Sequence, residues 1–476
     1  MGNDCLSVGI DIGTSTTQVI FSRIYMENIS GYFAVPHISI VDKEVIYKSD
    51  IYTTPLLNSY LIDGDKIRDI VDGEFKKAGF KPQDTDTGAV IITGESARKD
   101  NSALVLEKLS DFAGDFVVST AGPDLESVIA GKGSGAQSYS EENGCVTVNL
   151  DIGGGTTNIV VFDSGKVVSK GCADVGGRLL RVKEDLTVTY VSPTAQKISD
   201  KCGLGLEVNQ KTTEEKLKVL CSEMVNAVEQ LLGLYEKTEL TNSIVTKTSS
   251  ELKINKPIKA VCFSGGVADC IYKTDYNKFQ FGDIGVLLGE AFRQSNLYGK
   301  FTVVNAKETI RATVVGAGTY TTSISGSTIS YSDGVLPLKN VPVLKLNTEE
   351  QSFVLNGNKE FLKEKIKWFS EQSDTDNFVL ALPGLKNPSY LQIQVLADTV
   401  SSVLDEELKS DLPMLILLET DIAKVTGQVI KRIIKNGRPV ISIDGIFVDD
   451  GDFLDLGKPL MDGLVIPVVI KTLIFG

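Results

Sequence analysis

The sequence predicts an α/β protein that consists of two related lobes and an additional C-terminal α/β region. One strand–turn–strand pattern occurs twice, around Asp11 and again around Asp151, which indicates a duplicated unit of domain size. Apolar runs of strand length alternate with amphipathic runs of helical spacing after each copy and in the last third of the chain. The 476 residues correspond to about three ordinary domains. We therefore expect domains at 1–145, 146–325 and 326–476, the last one packed on the first lobe or standing apart.

The composition disfavours several classes of partner. It is that of a globular protein, with 42% hydrophobic and 23% charged residues, and the net charge of −14 disfavours nucleic acid and anionic membrane surfaces. The seven cysteines are scattered without a C-x-x-C pair, which argues against a disulfide framework, a zinc ribbon or an iron–sulfur cluster. The N-terminus lacks a signal-peptide pattern, and the apolar segment 464–475 is too short to span a bilayer. We expect a cytoplasmic protein without a nucleic-acid or membrane partner.

The repeated pattern has the character of a β-hairpin in both copies. When Asp11 is aligned with Asp151, the Asp, the following Ile and Gly, and two Thr residues are identical between 10–20 and 150–160. An apolar strand leads into a turn of small residues, and a second β-branched strand follows it. The predicted strands are 6–12 and 18–21 in the first copy and 146–152, 158–162 and 166–169 in the second.

Other elements follow from hydrophobic periodicity. In the two lobes, the predicted helices are 67–78, 125–136, 214–237 and 306–319, and the predicted strands are 89–93, 117–119 and 259–263. In the last third, strands at 378–382, 414–418 and 440–443 alternate with helices at 390–408 and 421–434, and a turn-rich segment at 451–459 precedes an apolar strand. This alternation is typical of a parallel α/β layer.

Two such hairpins have the chemistry to bind the phosphates of a nucleotide. A tight turn of Gly, Thr and Ser lets backbone N–H groups approach phosphate oxygens closely, and hydroxyl groups add donors. A single hairpin of this kind is more often an ordinary turn, whereas a pair at domain-sized separation favours a phosphate clamp. A strand that leads into Ser264-Gly265-Gly266 adds a flat backbone surface for a base and ribose. The candidate nucleotide-binding residues are Gly13, Thr14, Ser15, Thr16, Thr17, Gly153, Gly154, Gly155, Thr156, Thr157, Ser264, Gly265 and Gly266.

Carboxylates at the ends of the first hairpin strands are the candidate metal ligands. Asp11 and Asp151 are placed to hold a hydrated Mg²⁺, which keeps several waters and uses one or two carboxylates. Hydrolysis would also need a group that orients water. Glu95 and Glu126 are the candidates for this catalytic role, although each has an ordinary interpretation as a surface carboxylate or a helix cap. His37 lies outside every motif, so a histidine base is not expected.

The order of these motifs resembles that of the actin–Hsp70–sugar-kinase superfamily over about residues 6–325. The first phosphate loop resembles 9–17, the second resembles 151–157, the adenosine loop resembles 264–267, and the connecting helices resemble 125–136 and 306–319. This resemblance implies two ribonuclease-H-like lobes of the actin/Hsp70-type ATPase fold. It also implies ATP and Mg²⁺ as cofactors, bound in the cleft between the lobes, and a weak ATPase activity.

A narrower resemblance extends along nearly the whole chain. The segments 8–14, 89–97, 114–118, 119–123, 125–131, 175–180 and 468–475 stand in an order similar to that of the ethanolamine ammonia-lyase reactivating factor family of ethanolamine utilization. The resemblance implies a chaperone-like factor that uses ATP and Mg²⁺ to exchange damaged cobalamin in the lyase for adenosylcobalamin. The implied partners are the lyase, ATP or ADP, and adenosylcobalamin through the lyase. The implied location is the cytoplasm or the bacterial microcompartment of ethanolamine breakdown.

Other functions on the same fold stay open at the level of sequence. A small-molecule kinase needs a substrate base in the first lobe, and no clear Asp-Gln pair stands there. An activator ATPase of acyl-CoA dehydratases needs cluster-binding cysteines between the lobes, and the chain has none there. A non-enzymatic actin-like scaffold would polymerise with ATP. A diol dehydratase reactivase shares the logic but not these motifs.

Overall fold

The computed structural model describes most of the chain. The described residues are 4–14, 16–30, 38–58, 61–93, 96, 99–109, 118–120, 123–247, 249–320, 322–326, 328–373 and 377–472. None of the helices in these ranges is both long enough and apolar enough to cross a membrane.

The first lobe, residues 4–120, is a mixed sheet flanked by helices. Its elements are the strands Asp4–Ile12 (β1), Thr16–Asn28 (β2), Ile38–Lys48 (β3), Tyr52–Thr53 (β4), Leu56–Asn58 (β5), Leu61–Ile62 (β6), Thr87–Ile92 (β7) and Val118–Thr120 (β8), the helices Gly64–Ala78 (α1) and Ser102–Leu109 (α2), and a 3₁₀ turn at Pro82–Asp84. The sheet order is β3-β2-β1-β7-β8, and the small strand β4 pairs with β2. β1 to β3 form an antiparallel meander, and β7 and β8 run parallel to β1.

The second lobe, residues 123–320, repeats this arrangement. Its strands are Val146–Ile152 (β9), Thr157–Asp163 (β10), Lys166–Ala173 (β11), Leu180–Val182 (β12), Val188–Val191 (β13), Ala260–Ser264 (β14) and Thr302–Val304 (β15). Its helices are Pro123–Gly133 (α3), Ala136–Glu142 (α4), Pro193–Cys202 (α5), Glu214–Leu231 (α6), Glu239–Ile244 (α7), Ala268–Tyr272 (α8), Gly285–Gln294 (α9), Asn296–Lys300 (α10) and Ala312–Tyr320 (α11). The sheet order β11-β10-β9-β14-β15 again joins an antiparallel meander to two parallel strands. This is the strand order of a ribonuclease-H-like lobe, so the predicted fold class is confirmed.

The third region, residues 322–472, is built on a sheet of its own. Its strands are Thr322–Ile324 (β16), Leu338–Lys345 (β17), Val379–Leu382 (β18), Met414–Leu418 (β19), Val440–Asp444 (β20), Asp452–Leu456 (β21) and Pro467–Thr472 (β22), and its helices are Thr348–Leu355 (α12), Lys359–Ser373 (α13), Tyr390–Glu407 (α14) and Ala423–Ile433 (α15). The order is β16-β22-β21-β17-β18-β19-β20. β18 to β20 are parallel, as predicted, and β17, which was not predicted, is parallel to β18. β21 pairs antiparallel with both β17 and β22. The prediction of a turn-rich segment at 451–459 was wrong at its centre, because β21 lies there.

Helix ends differ from the predicted ones where a cap or a left-handed residue decides them. α1 begins at Gly64, a turn earlier than its apolar pattern, because the Asp63 side chain accepts a hydrogen bond from Lys66 N. α6 ends at Leu231 rather than 237, and Gly233 follows with a positive φ. The predicted helix 125–136 is two helices, since Gly135 has φ +85° between α3 and α4.

Helix α3 packs on the second sheet and helix α11 packs on the first sheet, and the two helices cross with their backbones in contact. A Cβ placed on Gly316 would lie 2.1 Å from Ile129 O, and one on Gly133 would lie 1.9 Å from Ala312 O. On its other side α11 contacts β1, where a Cβ on Gly9 would lie 2.7 Å from Val314 O. Glycine is required at this crossing because any side chain would separate the backbones. The crossing therefore holds the two sheets close together.

The third region contacts the first lobe through apolar side chains. Val465 packs in one buried cluster with Cys5, Ile24 and Met26 of the first sheet. Val469 of β22 packs in a second cluster that includes Ala89 and Ile91 of β7 and Ala317 of α11.

Candidate functional site

The two predicted hairpins close with the same turn. Gly13 N donates to Thr16 O at 2.9 Å, and Gly153 N donates to Thr156 O at 2.9 Å. The turn residues Gly13, Thr16 and 153–156 are half-buried, and Thr14 is exposed. Both turns therefore present backbone and small side chains at the surface, at the end of a buried strand.

Two of the predicted phosphate-binding hydroxyls bond within the protein instead. Thr17 is fully buried and bonds to the Thr54 hydroxyl at 3.2 Å, and Thr54 in turn donates to Gly13 O at 2.8 Å. Ser96 also donates to Gly13 O, at 3.0 Å. Thr157, equally buried, donates to Val175 O at 2.8 Å. These hydroxyl groups hold the turns in place.

Asp11 and Asp151 lie at the carboxyl ends of β1 and β9 and are almost completely buried. Thr93 Oγ1 donates to Asp11 Oδ1 at 3.0 Å, and Ser264 Oγ donates to Asp151 Oδ1 at 2.6 Å. Burial raises the pKa of Asp151 to about 6. Burial also raises the pKa of Asp11 to about 7, and the negative charge of Asp151 adds to this rise. The carboxyl groups of Asp11 and Asp151, one from each lobe, therefore interact electrostatically.

The two carboxylates form an acceptor site that suits a cation. Among the described residues neither makes an ion pair, and the hydrogen bonds from Thr93 and Ser264 offset only part of the cost of burying the two charges. Within the same ranges there is no cluster of three or more His, Cys, Asp or Glu side chains that could hold a metal. The donor set of two carboxylates fits Mg²⁺, which seldom uses a cage made only of protein ligands.

The loop 264–266 packs against the end of the second hairpin. Gly265 has φ +87°, and a Cβ there would lie 2.5 Å from Ile152 O, so glycine is needed for this approach. Gly265 N donates to Thr309 O at 3.0 Å, and Gly266 is exposed. Ser264, predicted as a nucleotide contact, is fully buried and orients Asp151. Its oxygen also accepts a hydrogen bond from Asn149 Nδ2 at 2.9 Å, which leaves the hydroxyl proton for the carboxylate.

Arg178 lies beside the second turn and was not among the predicted site residues. Arg178 N donates to Gly154 O at 2.7 Å, and Gly177 N donates to Gly153 O at 3.0 Å. The Arg178 side chain is 40% exposed, lies against Gly154 and pairs with Asp283 at 3.4 Å. The Gly176-Gly177-Arg178 sequence was a signal for it, since paired glycines before a cation indicate a close backbone approach.

The remaining residues considered in the sequence analysis are Ser15, His37, Glu95 and Glu126. Ser15, Glu95 and His37 lie outside the described residues. Glu126 is half-buried in the first turn of α3, a helix whose neighbours are α11 and strands β9 to β11. The two hairpins and the 264–266 loop, with Asp11 and Asp151, form what we call the hairpin site.

Comparison with known proteins gives matches along almost the whole chain. The family model described as "Ethanolamine utilisation protein EutA" matches residues 3–476. Ethanolamine ammonia-lyase reactivase EutA of Salmonella typhimurium is 35% identical over 471 residues, which cover 99% of this chain and 98% of that protein. The Escherichia coli protein of the same name is 34% identical over 475 residues, with the same coverage of both chains.

Solved structures resemble the chain more distantly. A Ppx/GppA phosphatase of Aquifex aeolicus aligns with 66% of this chain and 99% of its own, with 13% identity and a TM-score of 0.38. The family model and the two relatives, by contrast, extend from the first hairpin to the last strand of the third sheet. The chain therefore belongs to the family of the ethanolamine utilisation protein EutA.

Proposed function

We propose that this protein is an ATP-dependent reactivating factor of ethanolamine ammonia-lyase, which releases damaged cobalamin so that adenosylcobalamin can rebind. The observation that carries the proposal is the correspondence, over 99% of the chain, with two proteins named ethanolamine ammonia-lyase reactivase. The lyase is therefore the proposed partner, and adenosylcobalamin is reached through it. We place the protein in the cytoplasm, free or associated with a bacterial microcompartment.

The hairpin site supports ATP and Mg²⁺ as the cofactors. The turns 13–16 and 153–156 would bind the phosphates through backbone N–H groups and the hydroxyls of Thr14, Ser15, Thr16 and Thr156. Asp11 and Asp151 would hold the hydrated metal, which neutralises charge on the phosphates. Gly265 and Gly266 would border the adenosine. Thr17, Thr157 and Ser264 would act indirectly, because each is buried and hydrogen-bonded within the protein.

Arg178 adds a cation to the proposed phosphate site. Its backbone is fixed to the second turn, while its partly exposed side chain pairs with Asp283. The pKa of Asp283 is raised by burial in spite of this pair. A guanidinium held at the edge of a turn can move from a carboxylate to a phosphate, which it binds with matching geometry.

Reactivation then follows from two nucleotide-dependent states. A lyase that holds a damaged cofactor tightly must open before the cofactor can leave. A partner can shift this opening only if it binds open and closed lyase with different affinity. ATP held between two lobes favours their closure, and hydrolysis, with Glu95 or Glu126 orienting the water, would reverse it.

Recovery of lyase activity tests the proposal directly. Ethanolamine ammonia-lyase inactivated with cyanocobalamin is incubated with the protein, ATP, Mg²⁺ and adenosylcobalamin, and ammonia release is followed. We expect recovery that requires ATP, is lost in Asp151→Asn and is kept in Asp163→Asn. Asp163 is the matched control, since it lies at the far end of β10 and pairs with Lys256 at the surface. No recovery by a protein that demonstrably binds ATP would contradict the reactivase function.

A further inference from the structure

Each of the two candidate metal ligands has a buried carboxamide directly across its hairpin. In the antiparallel register Asp11 pairs with Gln18, and Asp151 pairs with Asn158. Both amide residues are only 2% exposed. Paired residues of this kind lie on the same face of the sheet, with Cβ atoms about 5 Å apart. The first hairpin therefore places an amide side chain next to the carboxylate of Asp11.

The two polar atoms of the Gln18 side-chain amide differ in their hydrogen bonding. Its Nε2 donates to Ile310 O at 3.4 Å. Its Oε1 is fully buried and has no hydrogen-bond partner among the described residues. The amide cannot be reversed to correct this, because Oε1 would then face the carbonyl oxygen of Ile310, and two acceptors repel. A buried acceptor without a donor is costly, so it indicates a donor that arrives with a ligand.

A series of contacts connects Gln18 to the residues of the hairpin site. Gln18 contacts the backbone at 309–310, and Thr309 O accepts a hydrogen bond from Gly265 N at 3.0 Å. The preceding residue, Ser264, donates to Asp151. Gln18 is also the antiparallel partner of Asp11. Gln18 is thus linked to both carboxylates, to Asp11 by the strand pairing and to Asp151 through the 264–266 loop.

We propose that Gln18 is a positioning residue for the metal, whose Oε1 accepts a hydrogen bond from a water molecule bound to the Mg²⁺ held by Asp11 and Asp151. The inference rests on the proposed binding of ATP with Mg²⁺. The buried side chains here supply the carboxylate oxygens of Asp11 and Asp151 and the amide oxygen of Gln18, and all of these are hydrogen-bond acceptors. Phosphate oxygens are acceptors too, whereas the water shell of Mg²⁺ presents donors in every direction. Acceptors around the inner ligands orient such a shell and increase metal affinity.

Two substitutions at Gln18 separate this role from a structural one. Gln18→Met removes both the donor to Ile310 and the acceptor, whereas Gln18→Glu removes the donor but keeps an acceptor and adds negative charge. If Gln18 only ties β2 to Ile310, both variants lose the same bond and behave alike. If Oε1 serves the metal, the two variants change metal affinity in opposite directions.

Calorimetric titration of ATP into the full-length protein, at a series of free Mg²⁺ concentrations and pH 8.5, gives the required readout. The measured quantity is the free Mg²⁺ concentration at which half of the metal-dependent gain in ATP affinity is reached. We expect Gln18→Met to raise this midpoint about tenfold and Gln18→Glu to lower it at least about threefold. Without Mg²⁺, the Met variant should bind ATP with the parent affinity.

Gln137→Met is the matched control. Gln137 also donates from Nε2 to a backbone carbonyl, Gly165 O at 2.8 Å, but it lies on α4 beside a different turn. Its variant should keep the parent midpoint. Equal midpoints for Gln18→Met and the parent, or shifts of the two Gln18 variants in the same direction, would overturn the positioning role and leave the proposed function intact. A parent protein whose ATP affinity does not depend on Mg²⁺ would overturn both.

Discussion

At the scale of single residues, the two buried carboxylates of the hairpin site lower the stability of the ligand-free protein. Asp11 and Asp151 have pKa values raised to about 7 and about 6 by burial, well above the ordinary value of 3.8. Above their folded pKa values the charged forms destabilise the fold, because the unfolded chain solvates them better. A bound cation removes this cost, so the same burial that weakens the free protein favours the loaded one.

Asp11→Asn should therefore stabilise the nucleotide-free protein at pH 8. The native state binds the proton of Asp11 more tightly than the unfolded state does, so this residue lowers stability progressively between about pH 4 and pH 7. Removing the charge should increase the free energy of unfolding by on the order of 1–3 kcal/mol at pH 8 and by almost nothing at pH 4. Urea denaturation at the two pH values measures the difference.

Binding of ATP and Mg²⁺ should make the parent protein more stable than Asp11→Asn, the reverse of the order in the free proteins. With ATP and Mg²⁺ present, we expect the parent to gain thermal stability and Asp11→Asn to gain much less, since it has lost a proposed metal ligand. Asp163→Asn provides the control. The interaction with Lys256 lowers the pKa of Asp163, so removing the Asp163 charge should slightly lower the free energy of unfolding at pH 8. A free Asp11→Asn protein less stable than the parent at pH 8 would contradict the proposed electrostatic cost.

Metal binding should carry the matching pH dependence. In the proposed site Mg²⁺ would bind the ionised carboxylates, so protons would compete with it below the pKa values of about 7 and about 6. We expect the apparent Mg²⁺ affinity in the presence of ATP to rise steeply from pH 5.5 to 7.5 and to level off above that. A flat profile over this interval would show that these carboxyl groups are already ionised in the free protein. Calorimetry in buffers of equal ionic strength provides the measurement.

At the scale of elements, helix α3, which packs on β9 to β11, crosses helix α11, which packs on β1, β2 and β7, with their backbones in contact. Gly316→Ala would place a methyl group 2.1 Å from Ile129 O, where backbone rather than a flexible side chain must move. We expect a loss of roughly 2–3 kcal/mol in the free energy of unfolding, together with weaker ATP binding, because the two hairpins move apart. Denaturant titration and ATP calorimetry on the same preparation test both effects.

Gly73→Ala is the control for that substitution. Gly73 also lies inside a helix, α1, but a Cβ there meets nothing within 4 Å. Its replacement should stabilise the protein by about 0.5–1 kcal/mol, since alanine is the better helix former. Similar effects of the two substitutions would mean that helix propensity, and not the crossing, determines the result at Gly316.

Local patterns were sufficient to predict both hairpins, but not the order of the strands in each sheet or the roles of individual hydroxyls. The Gly-Thr turns are encoded within a few residues, so β1, β2, β9 and β10 could be recognised. Whether Thr17 faces a ligand or Thr54 depends on a contact 37 positions away, which no local pattern contains. Ser264 and Gln18 are similar cases, because their partners lie in other strands or in the other lobe.

Helix α11 shows the same limit at the level of an element. Its apolar pattern begins at 306, but the helix begins at Ala312. The residues just before it are used for long-range contacts instead: Thr309 accepts from Gly265 N, Ile310 accepts from Gln18, and Arg311 donates to Ser49 O at 2.9 Å. Tertiary contacts thus override helical propensity where the chain connects the two lobes.

At the scale of the whole molecule, the third region covers an apolar face of the first lobe. Val465 is fully buried in the cluster with Cys5, Ile24 and Met26. Val465→Asp would place a carboxylate among these side chains without a partner, and we expect it to cost at least about 3 kcal/mol of stability. Leu464→Asp, at a neighbouring position that is 38% exposed, should cost little.

The readout for this pair is the shape of the thermal transition. Loss of the contact should separate unfolding of the third region from that of the two lobes, so Val465→Asp should unfold in two steps observed by calorimetry. ATP and Mg²⁺ should then raise only the step that belongs to the lobes. A single transition with an unchanged midpoint would show that the two bodies are not coupled through this cluster.

The matching sheet orders of the two lobes also bear on the origin of the molecule. Strand order, turn hydrogen bond and cross-strand carboxylate–amide pair occur once in each half. Duplication and fusion of a gene that encoded a single half would produce this repeat, with the same aspartate and the same turn in each copy. Gln18 and Asn158 would then occupy equivalent positions in a site that no longer has to be symmetric.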